Sequence, residues 1–129
     1  MKITVFTSNQ PRHIALLDAL VAAGHEVRAV IEPKTYLRPK TTSFGIPTPY
    51  TMATYWDRVR AAEQVVFPKG AIVKVQAFVL RPGEVSGVRG GPLQWLGNSD
   101  RFVVFSSSYI TGWLADFLVT HDALNLHVG

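Results

Sequence analysis

Asn125 and His127 flank Leu126 near the end of the chain. On a strand, a period of two puts both side chains on one face. An amide beside an imidazole can stabilise an oxyanion and move a proton. Histidine is also the side chain whose ordinary pKa lies nearest neutrality. The chain has 4 histidines, and Asn-x-His arises by chance about one time in ten, so the pair alone reads as ordinary strand-end polar residues. Other chemistries are excluded more firmly. Cys is absent, which removes thiol nucleophiles, Cys zinc sites and disulfides. The first turn, Thr7-Ser8-Asn9-Gln10, lacks Gly-x-Gly-x-x-Gly, and no Walker sequence occurs. Neither common phosphate cradle is therefore supported, and no metal site is expected.

The elements that would position these residues follow from periodicity. Lys2–Thr7 is β-branched and apolar, a buried strand. Pro11 opens a helix whose inward face is Ile14, Leu17, Leu20 and Val21, and Gly24 stops it. His25–Ile31 is the second strand, so the first 32 residues form a βαβ unit with two parallel strands. Residues 33–50, with four prolines, form a long loop. Thr51–Phe67 is a helix with a stripe of Met52, Tyr55, Trp56, Val59, Ala62 and Val66, and Pro68-Lys69-Gly70 ends it. Ala71–Leu80 is the third strand, with Lys74 and Gln76 marking a more open face. A glycine-rich stretch follows, with a short helix around Pro92–Leu96. Arg101–Phe105 is the fourth strand, Ser106–Ile110 its turn, Gly112–His121 a helix with Trp113, Leu114, Phe117 and Leu118 inward, and Ala123–Val128 the fifth strand. The sum is one α/β domain over residues 1–129: a Rossmann-like, open, mostly parallel sheet with helices on both faces. Such sheets bind ligands beyond the carboxyl ends of their strands, here at Thr7–Gln10, Ile31-Glu32, Phe105–Ile110 and Asn125–Gly129.

At this point the chain resembles the N-terminal part of the folate-dependent formyltransferases. The most specific stretch is Phe102-Val-Val-Phe-Ser-Ser-Ser-Tyr-Ile-Thr-Gly-Trp-Leu-Ala-Asp-Phe-Leu118, followed by Ala123-Leu-Asn-Leu-His127. Lys2–Leu17, with Ser8-Asn9-Gln10-Pro11-Arg12-His13, is similar to the members that formylate amino sugars on nucleotide carriers in cell-surface sugar biosynthesis. The resemblance implies transfer of a formyl group from N10-formyltetrahydrofolate to a primary amine. Asn125 and His127 match the first two members of the family's catalytic Asn, His and Asp set. His127 would accept the amine's proton, and Asn125 would hold the oxyanion. Ser106, Ser107, Ser108, Tyr109 and Ile110 match the turn that binds the pterin largely through main chain. Asn9 and Arg12 are the substrate-binding candidates toward a nucleotide-linked amino sugar. Where many members continue with Pro-Ser-Leu-Leu-Pro and a later Arg-Gly, this chain has Val128-Gly129, and no acidic residue follows His127. The third catalytic residue is thus not assignable, and the expectation is a truncated domain. A non-catalytic formyltransferase-like domain and a methionyl-tRNA formyltransferase type are the alternatives.

Composition agrees with a packed domain. The 129 residues are 47% hydrophobic and 17% charged, unlike a disordered chain, and are enough to bury a core. Thirteen Lys plus Arg against nine Asp plus Glu give a net charge of +4. Nine basic and three acidic residues fall in 28–81, whereas 102–129 hold Asp116 and Asp122 and no Lys or Arg. The basic middle suits an anionic nucleotide, but its residues lie on several elements, which also describes a solvated face. Lys34, Arg38 and Lys40 could clamp a diphosphate or be incidental loop charges. Trp56, Trp95 and Trp113 fit core positions better than ligand stacking. No signal peptide or membrane span is legible, so a cytoplasmic location is expected, without a membrane or nucleic-acid partner. An apolar fifth strand with little after it favours self-association, as in a homodimer.

Overall fold

A computed structural model of the chain describes residues 1–33, 50–67, 72–81, 83–87, 94, 96–107 and 110–126, with backbone alone for 50–53 and 56. Its elements, in chain order, are β1 (Lys2–Thr7), α1 (Pro11–Ala22), β2 (Glu26–Ile31), α2 (Tyr50–Val66), β3 (Gln76–Val79), a 3-10 turn at Val85–Gly87, β4 (Arg101–Phe105), α3 (Gly112–Thr120) and β5 (Leu124–Leu126). The five strands form one sheet in the order β3-β2-β1-β4-β5. Every pairing is parallel. This is an α/β fold, and the expected mostly parallel sheet is parallel throughout.

Two cores lie on opposite faces of the sheet, as alternation along each strand requires. Ile3, Val5, Val27, Ala29, Ile31 and Val103 pack under Ile14 and Leu17 of α1. Phe6, Val30 and Phe102 pack under Leu114 and Leu118 of α3, together with Val85 and Leu96. The central strand serves both: Ile3 and Val5 face one core and Phe6 the other. β1 and β2 therefore read as near-continuous apolar runs, the pattern of parallel strands covered on both faces.

Both well-defined helix ends use the same hydrogen-bond pattern. At the end of α1, Gly24 N–H donates to Val21 O and His25 N–H to Leu20 O. This Schellman motif needs a left-handed residue, and Gly24 supplies it with φ +91°. At the end of α3, Asp122 N–H donates to Val119 O and Ala123 N–H to Leu118 O. There the left-handed position is held by Asp122, with φ +52°.

Three expectations need correction. In the apolar stripe of α2, Tyr55 is 57% exposed and Val66 66%, and among the described side chains of the helix the buried one is Glu63. A stripe is buried only where a partner covers it, and α2 meets α1 through an ion pair, Arg12 Nη1 to Glu63 Oε1 at 2.5 Å. The side chains of Met52 and Trp56 lie outside the described residues. The third strand is Gln76–Val79, shorter than the expected Ala71–Leu80: it pairs with β2 from Arg28 to Ile31, residues 72–75 precede that register, and Ala71 lies outside the described residues. Val21 is 46% exposed in the last turn of α1, where the helix leaves the sheet. By contrast, Leu114 and Leu118 are buried, and Trp113 and Phe117 pack against the same core. Of the expected short helix at Pro92–Leu96, Gln94 and Leu96 are helical, and the other residues lie outside the described ones.

Candidate functional site

The chain winds outward from β1 through β2 to β3, then returns to the other side of β1 for β4 and β5. The connections after β1 and β4 therefore diverge, and a crevice opens between them at the carboxyl ends of these strands. At that end Ser8–Gln10 follow β1 and Ser106-Ser107 follow β4.

The β1 side is built on a helix start. Pro11 occupies the first helical position and Gln10 the cap. The Gln10 backbone N–H donates to His13 Nδ1 at 3.3 Å. A backbone N–H can only donate, so Nδ1 is the acceptor and a neutral His13 ring carries its proton on Nε2. The ring is fully buried and meets Phe105 edge-on, with centroids 5.0 Å apart. His13 thus joins the start of α1 to the end of β4. Ser8 is buried, and its Oγ lies 3.5 Å from Asn9 Oδ1. Thr7 Oγ1 is buried and has no hydrogen-bond partner among the described residues.

The β4 side is a turn of small neutral side chains. Ser106 has φ +60°, a left-handed conformation that costs a residue with a Cβ about 1–2 kcal/mol. Ser107 Oγ lies 3.4 Å from Glu32 Oε1. Glu32 follows β2 and is 1% exposed, and its Oε2 accepts the Gly83 N–H at 2.6 Å. Gly83 has φ +86°, so the turn that presents this N–H depends on glycine.

β5 brings Asn125 to the same end of the sheet. Val104 is opposite Asn125, and Phe105 is opposite Leu126. Asn125 is thus opposite a residue two positions before Ser106, where the chain turns away, and its side chain is exposed. Alternation puts it on the face shared by Phe102 and Val104.

Of the sequence candidates, the fold gathers Asn125, Ser106, Ser107 and Asn9 at the strand ends, with Ile110 packed against the α3-side core. Arg12, in the first turn of α1, is held by Glu63. Ser108, Tyr109 and His127 lie outside the described residues, as do Lys34, Arg38 and Lys40. Two residues at this end of the sheet, Glu32 and His13, make contacts that no sequence motif marked. The signals were an acidic residue directly after an apolar strand, and a histidine three residues after the cap in capping-box spacing. Among the described residues no group of three or more His, Cys, Asp or Glu is placed to hold a metal ion. No described helix is long and apolar enough to cross a membrane. The chain matches no model of a known protein family, and no curated protein matches it.

Proposed function

We propose that the chain is a Rossmann-like domain of a folate-dependent N-formyltransferase, acting on the amine of a nucleotide-linked amino sugar. The observation that supports this reading is the juxtaposition of Asn125 with the Ser106-Ser107 turn at the sheet end where the strand order reverses. The turn fits a flat, neutral heterocycle in one respect: its small side chains leave backbone groups approachable. N10-formyltetrahydrofolate would supply the formyl group when bound. The Asn125 amide would donate to the formyl oxygen as it gains negative charge. His127, two residues on in the sequence, would take the proton that the amine loses on attack. Asn9, at the mouth of the crevice, and Arg12 are the candidates toward the sugar nucleotide.

Formyl transfer to a dTDP-, GDP- or UDP-linked 4-amino sugar, followed by mass spectrometry of the product, tests the reading. Product bearing one added formyl group supports it. Folate binding without product favours the non-catalytic alternative, and absence of both overturns the folate assignment. Formylation of methionyl-tRNA instead of the sugar would move the substrate to the tRNA class.

A further inference from the structure

We propose that Glu32 is a positioning residue that holds the turn after β4 from both of its flanks; its functional meaning rests on the reading of that turn as the folate-binding surface. A carboxylate at 1% exposure is retained only where its oxygens are satisfied. The two oxygens of Glu32 engage two different loops. Oε2 accepts the Gly83 N–H at 2.6 Å, and Oε1 lies 3.4 Å from the Ser107 hydroxyl. The Gly83 turn leads directly into the 3-10 turn, whose Val85 is buried in the α3-side core. Ser86 in that turn accepts the Thr111 N–H at 2.8 Å. One flank, Ser106-Ser107, is thus tied to Glu32 directly, and the other, Ile110-Thr111, through Gly83 and Ser86. Ser106 sits in the left-handed region, a conformation that persists only when its surroundings enforce it. A single buried side chain directly after β2 therefore sets the spacing between the β3 and β4 loops.

The chemistry of the two contacts makes the role testable. Both can be made by a neutral amide: the Gln carbonyl accepts the Gly83 N–H, and its NH2 donates to Ser107 Oγ. A role in positioning therefore survives Glu32→Gln and is lost in Glu32→Leu, whereas a role that needs negative charge is lost in both. The experiment compares wild type, Glu32→Leu, Glu32→Gln and Ser86→Ala by amide hydrogen exchange and by calorimetric titration with 5-formyltetrahydrofolate. The expected result is exchange at Gly83 and Thr111 about tenfold faster in Glu32→Leu, with folate bound about tenfold more weakly, and near wild-type values in Glu32→Gln. Unchanged exchange in Glu32→Leu, or a Glu32→Gln variant as impaired as Glu32→Leu, overturns the proposal. If Glu32→Leu does not fold, Ser86→Ala decides: faster Thr111 exchange with weaker folate binding supports the tie, and wild-type values overturn it. If wild type binds no folate, the functional reading falls, and exchange alone still decides whether Glu32 holds the two loops.

Discussion

His13 is held on two sides, by the Gln10 amide and by a T-shaped contact with Phe105. Removing the ring takes away a cap contact and leaves a hole between α1 and β4. His13→Ala should therefore cost about 2–4 kcal/mol in urea unfolding, within the range for large buried side chains. Asp122 is the opposite case. It fills the left-handed position after α3 that Gly24 fills after α1. Asp122→Gly should relieve that conformation and raise stability by about 0.5–1 kcal/mol, read as a higher unfolding midpoint. Asn125 separates folding from chemistry. Its side chain is exposed, so Asn125→Ala should leave stability within about 0.5 kcal/mol of wild type. On the proposed reading the same change lowers formyl transfer by about 10²–10³-fold, as loss of an oxyanion donor does. An unchanged transfer rate would remove Asn125 from the mechanism.

At the scale of elements, α1 and α2 are joined by Arg12 and Glu63. The pair is asymmetric: the Glu63 side chain is 10% exposed and that of Arg12 33%. Losing the cation leaves a nearly buried carboxylate without it, whereas losing the carboxylate leaves an arginine that can turn to water. Arg12→Met should thus cost about 2–3 kcal/mol and Glu63→Gln about 1 kcal/mol or less. Equal costs for the two variants would mean that burial of Glu63 plays no part. Here the sequence is only half legible. Strands β1, β2 and β4, the helix α3 and the Gly24 stop were readable, because continuous apolar runs and a glycine after a periodic stretch are local signals. The face of α2 was not. Its apolar stripe follows helical spacing, but which face is buried depends on what α1 presents, and α1 presents Arg12. The candidate site divides in the same way. Asn125 and the serine turn carry local motifs, whereas Glu32 acquires its partners from residues 51 and 75 positions away.

The whole molecule is two apolar layers separated by one sheet. Leu17 anchors one core and Leu114 the other. Leu17→Ala and Leu114→Ala should each cost about 2–5 kcal/mol. Because the two side chains belong to separate core clusters among the described residues, the double variant should equal the sum to within about 0.5 kcal/mol. Chemical denaturation of all four proteins checks this, and a large departure from additivity would mean that the layers couple through the strands.

The position of β1 also bears on how the chain is made. It is the first strand in sequence and the middle strand of the sheet, with β2 on one side and β4 on the other. β2 follows within one helix, so the first side closes early. β4 begins only at Arg101. At a synthesis rate of 5–20 residues per second, the other side of β1 waits about 5–20 s for its partner to emerge from the ribosome. Throughout that interval the nascent chain carries a bare parallel edge flanked by Phe6 and Val5, the kind of surface that chaperones bind.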